Sequence, residues 1–451
     1  MEEMFRKEAL EYHSRPKAGK TEVIPSKEAD SPKKLALAYT PGVAAPAMEI
    51  SHERWKAYRY TNKGNLVAVI SNGSSVLGLG NIGAIASKPV MEGKAMLFKL
   101  YADIDAFDIE ASEEEPDRIV AAIQSIAPTF GGINLEDIKA PECFQIEEKL
   151  RRLLDIPVMH DDQHGTAVTI AAAVINACII TGKKIQEMKT VICGAGAAGI
   201  STAKILLKMG AGKENLTMAD SKGIITERRN DLNIYKKQFA CKDNITSLSQ
   251  AMKNADLFIG LSKGNILSDE DILSMSRSPI IFALANPVPE VTYNHAKELR
   301  QDAIVATGRS DAPNQINNVL AFPYLFRGAL DTLATEINGE MLMAAAHAIA
   351  ETARKETPEE IEKKYGRKLE FGSGYIIPTP GDRRLAIEVS TAVAKAAMAS
   401  GVARNKIVSF KEYAETLLSR IEFENCFNRE FIRHRNNRRP HTHGSFRERE
   451  L

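Results

Sequence analysis

Cysteine is scarce in this chain: five in 451 residues (Cys143, Cys178, Cys193, Cys241, Cys426), scattered, odd in number and without a CxxC pair. That distribution excludes a disulfide framework or a cysteine-based zinc site and suits reduced thiols in a cytoplasmic protein. Net charge is missing as well. The 59 Lys+Arg nearly cancel the 58 Asp+Glu, so no global field attracts nucleic acid or an anionic membrane. The opening MEEMFRKEALEYHSR has no apolar core and is no secretory signal. One apolar stretch, residues 166–181 (TAVTIAAAVINACIIT), falls short of the ~20 residues a bilayer needs and carries Asn176, so a helix buried in a soluble domain is expected. There is no HExxH and no internal repeat. These absences leave a soluble, cytoplasmic protein with no membrane or nucleic-acid partner.

The chain does carry the dinucleotide fingerprint Gly-x-Gly-x-x-Gly, twice: Gly78, Gly80, Gly83 and Gly194, Gly196, Gly199. Each has an acid near the expected offset, Asp103 and Asp220 respectively. The motif works only when a strand delivers the chain to a tight turn and a helix starts at once, its amides facing the pyrophosphate. After Gly83, Pro89 and Gly93 interrupt any helix, and residues 94–104 (KAMLFKLYADI) read as a strand. After Gly199 no breaker occurs until Gly210, and the apolar run NLTMAD ends at Asp220. The second copy therefore reads as the nucleotide site. The first reads as a glycine turn where backbone packs closely against backbone or a ligand.

Length suggests two or three domains, and 44% hydrophobic content can fill their cores. Leu66–Ser71 reads as a strand, Pro116–Ile126 and 141–154 as helices. A second α/β unit begins near the apolar helix after His164 and continues through the apolar strands at 255–262 and 279–287, the pattern of a doubly wound parallel sheet. Residues 338–398 are mainly helical. Residues 429–451 hold seven arginines, three glutamates and three histidines, the composition of a solvated tail.

Two acidic pairs carry chemistry: Glu136-Asp137 in FGGINLEDI and Asp161-Asp162 in IPVMHDDQHGT. Each follows an apolar, strand-like run with a helical segment between, so both emerge at one edge of a parallel sheet. Converging carboxylates without arginine partners repel unless a cation sits among them, and hard oxygen ligands select Mg2+ or Mn2+. His160 and His164 flank Asp161, Asp162 and Gln163, which read as a turn, and are expected to be supports rather than ligands. Lys94 is a surface lysine or, if partly desolvated beside a metal, a base with a lowered pKa. Tyr39 is a core aromatic or a phenol that the Pro-Gly turn aims into a cleft, and Asn286 and Asn317-Asn318 end apolar runs as ligand-facing amides or turn formers.

LALAYTPGVA, GLGNIG with SKPVMEGKAMLFK, FGGINLEDI, HDDQHGTA, GAGAAGI, FALANP and ATGRSDAPNQINN occur in order from about Leu35 to about Met398. This ordered set resembles the malic enzymes in their short prokaryotic form. The resemblance implies an N-terminal α/β malic domain (1–163), a Rossmann-like NAD(P)-binding domain with a helical C-terminal part (164–398), and a helical extension with the Arg-rich tail (399–451). It implies oxidative decarboxylation of L-malate to pyruvate and CO2 with NAD or NADP and a divalent metal. Matched position by position, Glu136, Asp137 and Asp162 are the metal ligands, and Asp161 orients the base. Lys94 is that base, taking the C2 hydroxyl proton, and Tyr39 is the acid that protonates C3 of enolpyruvate. Gly194, Ala195, Gly196, Ala197, Ala198, Gly199, Asp220 and Asn286 contact the cofactor; Asn286 and Asn318 contact substrate. A homodimer or higher homo-oligomer with its site in a cleft is implied.

Ser75 stands where longer, eukaryotic-type members of the family have an arginine that grips substrate carboxylate, so Ser74, Ser75, the turn amides or the asparagines must replace it. At 451 residues the chain is too short for the acetyltransferase-like extension of the largest bacterial members, so none is expected. Asp220 favours NAD, since a carboxylate accepts from a ribose 2′-hydroxyl and repels a 2′-phosphate; Ser221 and Lys222 pull toward NADP. The rival readings are a malolactic-type enzyme that retains NAD, a dehydrogenase that does not decarboxylate, and a nucleotide sensor whose basic tail binds nucleic acid.

Overall fold

The computed structural model describes residues 3–76, 78–242 and 245–421, and the Arg-rich segment at 429–451 lies outside them. Short, wholly apolar strands need cover on both faces, which a parallel sheet flanked by helices provides. β1 (Leu66–Ser71), β2 (Asp105–Glu110), β3 (Gly132–Leu135) and β4 (Val158–His160) form a parallel sheet in the order β2-β1-β3-β4. A second sheet is built from β5 (Thr190–Cys193), β6 (Leu216–Asp220), β7 (Gly223–Ile224), β8 (Leu257–Gly260), β9 (Ile280–Ala283) and β10 (Ile304–Thr307). Its order is β10-β9-β8-β5-β6-β7, and only β7 runs antiparallel to its neighbour. β5 lies between β6 and β8, so the strand order reverses there. Such a switch point opens a crevice outside the carboxyl ends of the strands. The fold is α/β with a Rossmann-like second sheet.

One element departs from expectation. Residues 94–104 do not form a strand; the helix Ala84–Ala102 runs straight through Pro89 and Gly93. A proline inside a helix costs about 3 kcal/mol, but Met91, Ala95, Phe98 and Ala102 form one buried face. Phe98 meets the rings of Phe322 and Phe326 edge-on at 4.8 and 5.3 Å. Burying Met91 and Phe98 contributes about 1.5–3 kcal/mol each, which offsets the break. Those two rings come from the distant helix Phe322–Asp331, so the local sequence held no trace of them.

The helix Asp161–Thr181 is long and apolar enough to cross a membrane, yet 61% of its apolar window is buried inside the fold. It packs against the helices Ala197–Lys208 and Gly339–Arg354. The expected boundary at 163 falls in its first turn, and one continuous apolar core joins residues of both sheets. The cysteines at 143, 178 and 193 are free thiols.

Candidate active site

Leu135 at the end of β3 pairs with His160 at the end of β4. The next residues along each strand, Glu136-Asp137 and Asp161-Asp162, therefore leave the sheet side by side. Ligand atoms of Glu136, Asp137 and Asp162 all lie within 4.8 Å of one another. Asp137 takes a left-handed φ of 51°, tolerated by aspartate, and its amide donates to Asp162 Oδ2 at 2.8 Å. Asn134 Nδ2 donates to Glu136 Oε2 at 2.9 Å. Burial, with the charge of Asp162 adding, pushes the Glu136 carboxyl up to about 7. Asp162 is pushed up to about 6 by burial and by Asp161. Acids so placed gain from a cation in their midst, and an all-oxygen donor set fits Mg2+ or Mn2+ rather than zinc.

Lys94 projects from the helix Ala84–Ala102 into the same cluster and is 7% exposed. Its Nζ lies 2.8 Å from Glu136 Oε1, 2.5 Å from Asp161 Oδ2 and 4.1 Å above the Phe322 ring. Burial alone would lower its pKa, as the sequence reading expected. The charges of Asp161 and Glu136 outweigh burial here and hold the ammonium above the usual lysine range. Asp161 is wholly buried and pushed up to about 7 by burial, with Lys94 opposing. It also accepts from Asn318 Nδ2 at 2.5 Å, so that amide is turned toward Asp161. A Cβ on Gly165 would lie 1.9 Å from Asp161 Oδ1; only glycine leaves room for this carboxylate.

Other expected residues stand apart. Tyr39 caps the C-terminus of the helix Pro32–Ala38 and is 70% exposed, with no hydrogen bond to the Lys94 cluster among the described residues. Ser74 is buried, its Oγ donating to Asn72 Oδ1 at 2.6 Å and accepting from the Lys139 amide at 3.0 Å. Its hydroxyl fastens the loop rather than facing a cleft. Ser75 is exposed, and its amide donates to the Asp137 carbonyl at 3.0 Å. Asn286 is exposed at the mouth of the second sheet.

Glu147 escaped sequence reading. From the helix Glu142–Leu153 it accepts the His160 amide at 3.1 Å, Gln163 Nε2 at 3.0 Å and His164 Nε2 at 2.8 Å. It thereby ties down the turn that carries Asp161 and Asp162. His160 is fully buried, and burial pushes its pKa down to about 4, so its ring is neutral.

Both glycine fingerprints follow a strand and open a helix, so that criterion does not separate them. Contacts do. Gly194 has φ 121° and lies against the Leu261 carbonyl; nothing lies within 4 Å of a Cβ on Gly196; a Cβ on Gly199 would sit 1.9 Å from the Gly194 carbonyl oxygen. These are the three separate tasks of the fingerprint: tight turn, open approach for pyrophosphate, and close packing of helix on strand. In the first copy Gly78 (φ 76°) packs against the Asn286 carbonyl, while Gly80 and Gly83 meet nothing. That loop bridges to the second sheet backbone-to-backbone. Ala197 and Ala198 begin the helix Ala197–Lys208, and a cavity of about 370 Å³ beside it is lined by Ala195, Gly196, Asp220, Ser221, Asn233 and Lys236 among others.

Asp220 ends β6 at that cavity, but its carboxylate is already engaged. Arg229 Nη1 and Nη2 donate to its two oxygens at 2.7 and 3.1 Å, Lys236 Nζ at 2.6 Å and the Lys222 amide at 3.0 Å. Burial would raise this acid, but Arg229 and Lys236 overcome it and hold it down at about 2. The carboxylate expected to meet a ribose hydroxyl and repel phosphate is thus neutralised by two cations that sequence reading missed.

Against known proteins, the description "Malic enzyme, NAD binding domain" matches residues 163–363, and "Malic enzyme, N-terminal domain" matches 18–114 and 108–151. The chain is 54% identical over 420 residues to an NADP-dependent malic enzyme of Haemophilus influenzae, covering 92% of this chain and 56% of that protein. It therefore spans about half the length of several curated relatives it matches. It is 51% identical over 405 residues to an NADP-dependent malic enzyme of Halomonas elongata, covering 90% and 96% of the two chains. A malic enzyme structure from Pyrococcus horikoshii superposes with a TM-score of 0.89 at 43% identity, covering 96% of this chain and all of that one.

Proposed function

The chain belongs to the malic enzyme family, and on that premise we propose that it oxidises L-malate and releases pyruvate and CO2, with NAD(P) as hydride acceptor. The observation that carries this reading is the Lys94 cluster: a buried amine held between Glu136 and Asp161 at the edge of a three-carboxylate group. In this reading residues 1–163 supply the metal and substrate unit, 164–398 the dinucleotide unit and 399–451 an extension.

Neutral Lys94 takes the proton from the C2 hydroxyl as hydride leaves C2 for the nicotinamide. Asp161 and Glu136 hold its Nζ, and Asn318 steadies Asp161. The β-carboxylate of the resulting oxaloacetate departs as CO2, and Tyr39 protonates C3 of the enol. Glu136, Asp137 and Asp162 would hold a divalent cation, supplying Lewis-acid stabilisation of the developing enolate and offsetting the negative charge that keeps Lys94 protonated. The "NADP-dependent" names of both curated relatives above support NADP over NAD.

The exposed apolar side chains Leu35, Leu37, Tyr39, Met48 and Trp55 cluster on the N-terminal helices, which bury no residue within the chain. We propose a cytoplasmic homodimer in which a second copy covers this face and Tyr39 acts within the assembly. The test is reduced-cofactor absorbance with L-malate, Mn2+ and NAD or NADP, with pyruvate assayed in the same tube. Equal reduced cofactor and pyruvate, abolished by EDTA, supports the reading. Lactate without reduced cofactor means the malolactic reaction, and no turnover defeats both.

A further inference from the structure

A carboxylate has about four lone-pair sites, and the two oxygens of Asp220 already receive four donors from Arg229, Lys236 and the Lys222 amide. A ribose 2′-hydroxyl arriving at β6 would have to displace one of them. The Asp220 side chain is also 7% exposed, against 26% for Lys236 and 15% for Arg229, so the cations present more surface than the acid. Asp231 pairs with Arg229 at 2.9 Å and Lys222 at 2.8 Å. The group thus holds three cations (Lys222, Arg229, Lys236) against two acids (Asp220, Asp231). One positive charge is left over beside the cavity that Ser221 and Lys236 line.

Resting on the dinucleotide reading of this site, we propose that Lys236 and the Ser221 hydroxyl, which line the cavity, form a receptor for the 2′-phosphate of NADP, with Asp220 as the anchor that holds Lys236 at the strand end and Arg229, its donors engaged by Asp220, Asp231 and backbone carbonyls, adding charge behind it. Asp220 is then a positioning residue and not a ribose ligand. A dianionic phosphate gains charge-assisted bonds from groups already arranged, whereas an unphosphorylated ribose finds its usual acceptor occupied. The acid at the end of β6, which by spacing alone favours NAD, works here in the opposite direction.

The test is calorimetric titration of the full chain, without metal or malate, with adenosine 2′,5′-bisphosphate and with 5′-AMP. The bisphosphate is expected to bind at least about tenfold more tightly, as one added charge-assisted contact gives. Lys236→Met should remove most of that advantage while leaving 5′-AMP affinity nearly unchanged, and added salt should narrow the gap. Equal binding of the two ligands, or Lys236→Met weakening both alike, overturns the receptor while leaving a dinucleotide site intact. Failure of both nucleotides and of NAD and NADP to bind removes the dinucleotide reading itself and the receptor with it.

Discussion

Lys94 and Asp162 share one buried cluster, yet their removal should fail in different ways. Lys94→Ala takes away the proposed base and should lower malate oxidation by about 100-fold or more, with Mn2+ affinity kept within a small factor because the three carboxylates remain. Asp162→Asn should lose both activity and metal affinity; equal loss of Mn2+ binding in the two variants would overturn the role assignment. Glu147 predicts a third outcome. Its carboxylate is buried and serves three donors, so Glu147→Ala should cost about 1–3 kcal/mol of stability, as unpaired buried groups do, read as a lowered midpoint in thermal denaturation without ligands. An unchanged midpoint would show that the turn at 160–164 holds itself. The acidic pairs were legible because each directly follows an apolar strand. Glu147, Arg229 and Lys236 were not, since each meets its partner at a sequence separation of 9 to 17 positions, across chain whose course only the fold sets.

Glycine acts at the level of the element. Gly196 and Gly199 lie three residues apart at the start of one helix, but a methyl group at each has a different neighbour. Gly196→Ala meets no protein atom within 4 Å, so the fold should be unaffected while dinucleotide affinity falls. Gly199→Ala drives a methyl into the Gly194 carbonyl and should destabilise the chain by about 1–3 kcal/mol of overpacking. Cofactor titration and thermal melting on the same two proteins separate these outcomes; matching melting losses would contradict the geometry. Gly78→Ala combines a positive φ with a Cβ 2.6 Å from the Asn286 carbonyl oxygen. It should part the two loops and lower turnover, with adenosine-nucleotide binding retained. The helix Ala84–Ala102 belongs to this scale as well: Pro89 and Gly93 argue locally for a break, and packing against Phe322 and Phe326 overrules them.

Across the whole molecule, the N-terminal helices leave a row of apolar side chains in water. Met48 is 56% exposed and Leu37 66%, on elements that bury nothing of their own. Exposed apolar patches of this kind mark interaction surfaces. Light scattering at micromolar concentration should give a homodimer, and Leu37→Asp with Met48→Asp should shift it toward monomer and lower activity in step, since Tyr39 lies in the same segment. A wild-type monomer that turns over malate at full rate would sink this assembly. Chelation supplies the complementary experiment: EDTA should abolish turnover without dissociating the dimer, because the carboxylate cluster and the apolar face involve different residues.

The sequence by itself determined the alternation of apolar strands and helices, the two sheets and the placement of both acidic pairs at one sheet edge, because periodicity and strand ends are local properties. It also determined the glycine spacings of both fingerprints. Only the tertiary structure decided which fingerprint has the packing of a nucleotide turn, since that rests on what each missing Cβ would strike. It alone decided that the residue 94 segment is helical, that the Lys94 amine lies between two carboxylates whose charge raises its pKa, and that the Asp220 carboxylate is engaged by Arg229 and Lys236. Each of these depends on charges or surfaces brought together from distant parts of the chain, and a pKa or a packing energy has no value until those neighbours are in place.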